Sequence, residues 1–78
     1  MLPDRKRQVR VRANFAGDIE LRVQPGDRVR RGTALVIIEG EDQIETLSAR
    51  ADAVVVSVHA EDEAAVPAAA LLVVLQED

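Results

Sequence analysis

The chain has no cysteine, tryptophan or tyrosine and a single phenylalanine, Phe15, among its 78 residues. Without cysteine there is no disulfide framework and no thiolate to act as nucleophile or metal ligand. His59 is the only histidine. A zinc site would have to be built almost wholly from carboxylates, which zinc sites do not use, so no metal is expected. One aromatic leaves no stacking platform for sugars or single-stranded nucleic acid. The densest apolar run, Val66 to Leu75, is ten residues long with Pro67 near its start, too short for the roughly 20 residues of a membrane helix. Met1 to Arg7 is charged with no apolar segment behind it. A secretory signal is therefore not predicted, and a soluble cytoplasmic protein is. A domain of this length buries only about 60% of the surface its unfolded chain exposes, which excludes a large enzyme core. Function has to come from shape, backbone and charge.

Charge is unevenly spread. Residues 1–31 hold nine of the ten Lys and Arg against Asp4, Asp18, Glu20 and Asp27, a net of +5; residues 32–78 hold Arg50 against ten acids, a net of −9, and the whole carries −4. A basic first half could bind phosphates, but a folded domain with internally complementary surfaces explains the asymmetry better.

Val9, Val11, Ala13 and Phe15 alternate with Gln8, Arg10, Arg12 and Asn14, the period of two that marks a strand with one wet face. Ile19, Leu21 and Val23 repeat the pattern. Gln24-Pro25-Gly26-Asp27 then reads as a turn, with proline presetting φ and glycine permitting a positive one. After Val29, Arg30 to Thr33 forms a second turn. Ala34 to Ile38 is a β-rich run predicted to be buried on both faces. Glu39 to Gln43 is a polar hairpin loop containing Gly40.

The rest of the chain repeats the first part. Val11, Ala13, Gly17 and Ile19 match Leu47, Ala49, Ala53 and Val55 at an offset of 36. After one inserted residue the offset is 37, and Val29, Gly32, Leu35, Val36, Ile37, Ile38 and Glu39 fall on Val66, Ala69, Leu72, Val73, Val74, Leu75 and Gln76. The expected organisation is a basic arm over 1–8 and an all-β domain over 9–76, with repeat halves of about 9–43 and 44–78. Two such halves imply two sheets related by a pseudo-twofold, neither able to close a core alone. A helix over Ala60 to Leu72, rich in alanine and acids, is the competing reading. Pro67 in its middle and the repeat speak against it.

Three words, Val11-Arg12-Ala13-Asn14-Phe15-Ala16-Gly17-Asp18-Ile19, Val23-Gln24-Pro25-Gly26-Asp27-Arg28-Val29-Arg30-Arg31-Gly32 and Leu35-Val36-Ile37-Ile38-Glu39, resemble the elements of biotinyl/lipoyl carrier domains in order and nearly in spacing. The resemblance covers residues 9–76. It implies an all-β flattened barrel, or barrel-sandwich hybrid, of two interlocked four-stranded antiparallel sheets. It also implies a lysine at the tip of an exposed hairpin, three residues after the glutamate of the third word, where biotin or lipoate is attached through an amide. That count falls on Asp42, or on Gln43 if the register slips by one, and neither offers an amine. The chain's one lysine, Lys6, precedes the first strand. No biotin or lipoate is therefore expected.

Where the first copy has Gly17, Gly26 and Gly32, the second has Ala53, Glu63 and Ala69. A non-glycine residue at positive φ costs on the order of 1 kcal/mol. The sequence thus predicts that the turns over 60–69 are rebuilt with negative φ.

Asp27 could be a catalytic carboxylate, but beside Gly26 it reads as a turn residue bonding nearby backbone amides. Glu41 and Asp42, with Glu39 and Glu45, could hold calcium, yet such loops spread their ligands over a longer segment, and a solvated acidic tip is expected. His59 follows a strand. Ser57 is the nearest nucleophile, but nothing places an acid beside the pair, so no Ser-His-acid site is predicted. Arg5, Lys6, Arg7, Arg10 and Arg12 read as solvated charges before phosphate ligands.

The expected function is that of a non-enzymatic, unmodified biotinyl/lipoyl-like module for protein interaction, docking within or beside a multi-subunit assembly. Glu41, Asp42 and Gln43 at the hairpin tip are the candidate partner contacts. A second reading is a relative of the barrel-sandwich part of membrane fusion proteins; a third is a weak nucleic-acid binder. Glu39 and Leu47 are too close for the coiled coil that separates the halves in the second. Self-association through a sheet edge, or through the opposed charges of the two halves, is also expected, because a small core with one aromatic is marginal.

Overall fold

The computed structural model describes residues 7–78, so Arg5, Lys6 and most of the expected basic arm lie outside the described residues. Eight strands follow in order: β1 (Gln8–Arg12), β2 (Gly17–Leu21), β3 (Arg28–Val29), β4 (Ala34–Glu39), β5 (Ile44–Ser48), β6 (Ala53–Val58), β7 (Ala65–Val66) and β8 (Leu71–Glu77). They form two four-stranded sheets, β1-β8-β6-β3 and β5-β4-β2-β7, with every pairing antiparallel. The competing helix over 60–72 is absent: that stretch holds turns, β7 and the start of β8.

Replacing each strand by its counterpart four places along turns one sheet order into the other, so the repeat is a pseudo-twofold. Each sheet takes two strands from each half. The halves are interlocked, and neither sheet forms without both.

The offset change in the sequence has a physical counterpart. The β6–β8 register shifts between Val55 and Ser57, whereas the matching β2–β4 ladder is regular. Val56 is thus the inserted residue, accommodated as a β-bulge, and it stands 43% exposed.

The core lies between the sheets and is built from matched pairs: Ala13 with Ala49, Ile19 with Val55, Leu35 with Leu72, Val36 with Val73 and Ile38 with Leu75 are all buried. Each buried Leu, Ile or Val contributes about 1.5–3 kcal/mol. The expectation of burial on both faces holds for Leu35, Val36 and Ile38 but not for Ala34, which is half-buried, nor for Ile37, which points outward and is half-buried.

Backbone hydrogen bonds from the turns of one half to the strands of the other lock the halves together, and they too come in pairs. The Gly26 amide donates to the Val55 carbonyl and the Glu63 amide to the Ile19 carbonyl, both at 2.8 Å. The Gly32 amide donates to Ala49 at 2.7 Å and the Ala69 amide to Ala13 at 2.8 Å.

This geometry overturns the expected negative φ over 60–69. Gly26 and Gly32 have φ of 93° and 91°, and their counterparts Glu63 and Ala69 keep the left-handed conformation at 67° and 70°. The inter-half hydrogen bonds require the turn shape, so the second copy accepts the strain instead of rebuilding the turn.

Nothing lies within 4 Å of a Cβ built on Gly26 or Gly32, so substitution there meets conformational strain alone. Gly26→Ala and Gly32→Ala should each destabilise by about 1 kcal/mol. Glu63→Gly and Ala69→Gly should each stabilise by up to about 1 kcal/mol, the relief of strain exceeding the added entropy of the unfolded chain. Urea unfolding midpoints of the four variants check both signs; destabilisation by both glycine substitutions would contradict the strain.

Candidate functional site

The hairpin loop, expected over Glu39 to Gln43, is Gly40 to Gln43, because Glu39 still belongs to β4 and pairs with Ile44 at the start of β5. The Gly40 amide donates to the Gln43 carbonyl at 2.7 Å. Glu41 and Asp42 are left as the central residues of the turn, both exposed, as is Gln43. Asp42, reached by counting three residues from Glu39, and Gln43, reached if the register slips by one, both stand in this turn.

The base of this hairpin is held by close backbone packing. A Cβ on Gly40 would come within 2.8 and 2.9 Å of two carbons of the Phe15 ring and 3.1 Å of the Ala16 carbonyl. A Cβ on Gly17 would collide with the carbonyl of Glu39. Phe15, the chain's one aromatic, is thus the platform on which the hairpin rests. Neither contact is legible from periodicity, although both glycines belong to the sequence words that carry the family resemblance or its hairpin.

Ala53, the counterpart of Gly17, pairs with Glu77, beside the pair formed by the Arg50 Nε and the Glu77 carboxylate at 2.9 Å. Residues 31–34 lie at the same end. The Arg31 amide donates to the Asp52 carboxylate at 2.9 Å, and Gly32 and Thr33 bond Ala49. From Ala34 the strand β4 runs about 17 Å to Glu39, at ~3.3 Å per residue. The missing glycine at Ala53 therefore bears on the far end of the molecule and leaves the hairpin tip untouched.

Chemically, the tip offers carboxylates and one primary amide. None can form an amide bond with the carboxyl group of biotin or lipoate, so the residues at the turn do not fit an amide-linked group. An open groove beside the hairpin is lined by Ala16, Gly17, Asp18, Glu39, Gly40 and Glu41 among others, which puts more acid next to the tip. Glu45, named with Glu39, Glu41 and Asp42 as a conceivable calcium ligand, instead accepts a hydrogen bond from Asn14 Nδ2 at 2.7 Å. Among the described residues no group of His, Cys, Asp and Glu is placed to hold a metal ion.

The other candidates resolve in structural terms. The Asp27 carboxylate accepts from the Gln24 amide at 2.8 Å and closes its turn, as expected. Ser57 Oγ and His59 Nε2, the pair weighed from the sequence, are 2.7 Å apart at the end of β6. No carboxylate is hydrogen-bonded to that imidazole among the described residues. Arg10 and Arg12 are exposed on β1, and Arg12 donates to the Ala69 carbonyl at 3.0 Å.

The sequence model of a protein family described as "Biotin-requiring enzyme" matches residues 9–75. Among solved structures the chain is similar to one titled "Structure and function of a single-chain, multi-domain long-chain acyl-coa carboxylase", with a TM-score of 0.83 and 22% identity, over 91% of this chain and 7% of that one. At that identity the likeness concerns the fold, and this chain spans a small part of the carboxylase. No curated protein matches the chain significantly.

If Phe15 and Gly40 position the hairpin together, Gly40→Ala should destabilise by about 1–3 kcal/mol through overpacking. The same change in a Phe15→Ala background should cost less, because the clashing ring is gone. A double-mutant cycle on chemical unfolding reads the coupling; purely additive costs would show that the ring does not hold the hairpin.

Proposed function

Since this chain belongs to the biotinyl/lipoyl domain family, we propose that it serves as an unmodified, non-enzymatic member whose role is docking within or beside a multi-subunit assembly. The observation that carries the reading is Asp42, exposed at the centre of the hairpin turn where the resemblance implies the modified lysine. With Lys6 as the chain's one lysine, no residue of the hairpin supplies a nucleophilic amine.

The scaffold that presents the tip is nevertheless intact: Gly17, Gly40 and Phe15 fix the base of the hairpin by contact. A fold that keeps its presenting surface without its attachment residue is suited to binding a protein through that surface. The similar structure is a multi-domain enzyme of which this fold makes up 7%, so the fold occurs there beside other domains, which favours a docking role. Fold alone does not carry function; the chemistry of Glu41, Asp42 and Gln43 does.

Two other readings have less behind them. The four-residue loop from Gly40 to Gln43 joins the halves directly, with no room for the coiled coil of membrane fusion proteins. The basic residues of the first half do not form one phosphate-binding stripe: Arg10, Arg12 and Arg28 lie on one sheet, while Arg22 pairs with Glu20 at 2.7 Å beside the other. Filter binding at low and high salt separates the nucleic-acid reading, since phosphate contacts give a steep salt slope.

Intact-mass measurement after coexpression with a biotin ligase or a lipoate ligase tests the proposal. The unaltered chain should gain no adduct, and an adduct would overturn it. Asp42→Lys should fold normally, because that side chain contacts nothing required by the fold. It should nevertheless be modified far below stoichiometry, since Glu41 and Gln43 flank it in place of the Met-Lys-Met or Asp-Lys settings of carrier domains. Complete modification of the variant would show that only the amine had been lost.

A further inference from the structure

Charge in this molecule is sorted by sheet. Strand residues of β1, β8, β6 and β3 carry Arg10, Arg12 and Arg28 against Glu77; those of β5, β4, β2 and β7 carry Asp18, Glu20, Glu39 and Glu45 and no cation. Because Val9, Val11, Val55, Val73 and Leu75 face the core, the alternate residues Arg10, Val54 and Gln76 face outward on the first sheet, with Val74 in the same row but buried. There Arg10 pairs across strands with Val74, and Arg28 with Val54. On the second sheet Asp18 stands directly opposite Glu39, and Glu20 opposite Ile37.

Like charges facing each other across an antiparallel ladder are destabilising. Among the described residues neither Asp18 nor Glu39 has a cationic partner; the ion pairs are Arg22–Glu20, Arg28–Asp78 and Arg50–Glu77. Arg10 on the opposite face likewise has no acidic partner among those residues. After internal pairing, one outer face keeps uncompensated cation and the other uncompensated acid. Each also carries one of the two large exposed apolar side chains, Val56 on the first and Ile44 on the second. On the second face an open depression of about 360 Å³ is lined by Asp18, Glu20, Ile37, Glu39 and Glu63 among others. On the first, a smaller one of about 190 Å³ is lined by Arg28, Val54, Val56, Gln76 and Asp78.

We propose that copies of this chain associate head to tail, the outer face of the β1-β8-β6-β3 sheet of one copy lying on the outer face of the β5-β4-β2-β7 sheet of the next. The occupant of each face is a second copy because the complementary surface is on the chain itself. The pseudo-twofold also gives both sheets the same strand count and hand of twist, so the faces can stack as aligned sheets do. Arg10, the cation of that face without an acidic partner among the described residues, then meets Asp18 and Glu39, Arg28 stays shared with Asp78, and Val54 and Val56 cover Ile37. Such a contact is heterologous and does not close at two copies. A face of four strands about 4.8 Å apart and five residues long offers roughly 300 Å², against ~800 Å² per partner in a stable interface. The association is therefore weak and reversible. It stands apart from the docking reading, since it uses the two sheet faces and not the hairpin tip.

Sedimentation equilibrium on the full chain tests it. At about 10 mM ionic strength (Debye length ~30 Å) the average mass should rise with concentration past that of a dimer; at about 1 M (~3 Å) it should fall to the monomer. The net charge of −4 would by itself give the opposite trend, repulsion being relieved by salt. Arg10→Glu/Arg28→Glu, with two acidic faces, and Asp18→Lys/Glu39→Lys, with two basic ones, should each stay monomeric, and circular dichroism confirms that each folds. An equimolar mixture of the two should associate again. A wild-type chain that remains monomeric at low salt overturns the proposal, as does association that persists in high salt or in both variants, which would point to pairing at a strand edge.

Discussion

The constraint on which the structure depends is that neither half of the repeat can complete a four-stranded sheet: β2 pairs with β4 and β6 with β8 within one half, but the other four strands find their partners only across the halves. β1 must find β8, and β5 must find β4 on the other side, so the chain folds by threading each half through the other. The turns are where this happens. Each tight turn places an amide against a carbonyl of the opposite half, Gly26 to Val55 and Glu63 to Ile19. Backbone bonds to residues as buried as Val55 and Ile19 are costly to leave unmade. Once both members of a pair are needed, the turn's φ is no longer free to follow its own residue. That is why a glutamate and an alanine occupy the left-handed region at Glu63 and Ala69. About 1–2 kcal/mol of local strain per residue is smaller than the loss of a turn that joins the halves.

The same logic separates what could be read from the sequence from what could not. Strands, core and pseudo-twofold were legible because alternation and an offset of 36 or 37 are one-dimensional signals. Even the single inserted residue was visible, and it is the bulge at Val56. The turn conformations over 60–69 were not. The inference there rested on the local preference of glutamate and alanine, while the deciding hydrogen bonds come from Ile19 and Ala13, more than 40 residues away. Local propensity is a weak guide where a tertiary contact has a stated geometry to satisfy. The hairpin turn was legible as the polar stretch after Glu39 that holds Gly40. Its support by Phe15 was not, since nothing in an alternating pattern says which strand residue meets which glycine.

Charge shows a different failure of one-dimensional reading. Counted along the chain, the asymmetry is between a basic first half and an acidic second. In space the halves are interleaved, so that division has no surface of its own. The β1-β8-β6-β3 sheet draws Arg10, Arg12 and Arg28 from the first half and mostly apolar strands, β6 and β8, from the second. The other sheet draws its acids from both halves, Asp18, Glu20 and Glu39 from one and Glu45 from the other. A polarity between faces emerges that neither half possesses, and it is the faces that another molecule meets.

The support of the hairpin does not depend on the side chains at its tip. Everything that fixes the tip lies below it: Gly17 under the Glu39 carbonyl, Gly40 against Phe15, and the Gly40 to Gln43 hydrogen bond at the neck. These contacts use backbone and one ring, and none involves the side chains of Glu41 or Asp42, which stand in solvent. Residues at those two positions therefore answer to whatever approaches the tip and not to folding. A lysine there would be as compatible with this backbone as the aspartate is. The exposed acids Glu39, Glu41 and Asp42 are likewise no by-product of stability, since gathering like charges at one end costs a little at low salt. On the proposed docking reading the tip's chemistry answers to a protein partner, and a surface of carboxylates around a short, rigidly based turn is complementary to a cationic protein surface.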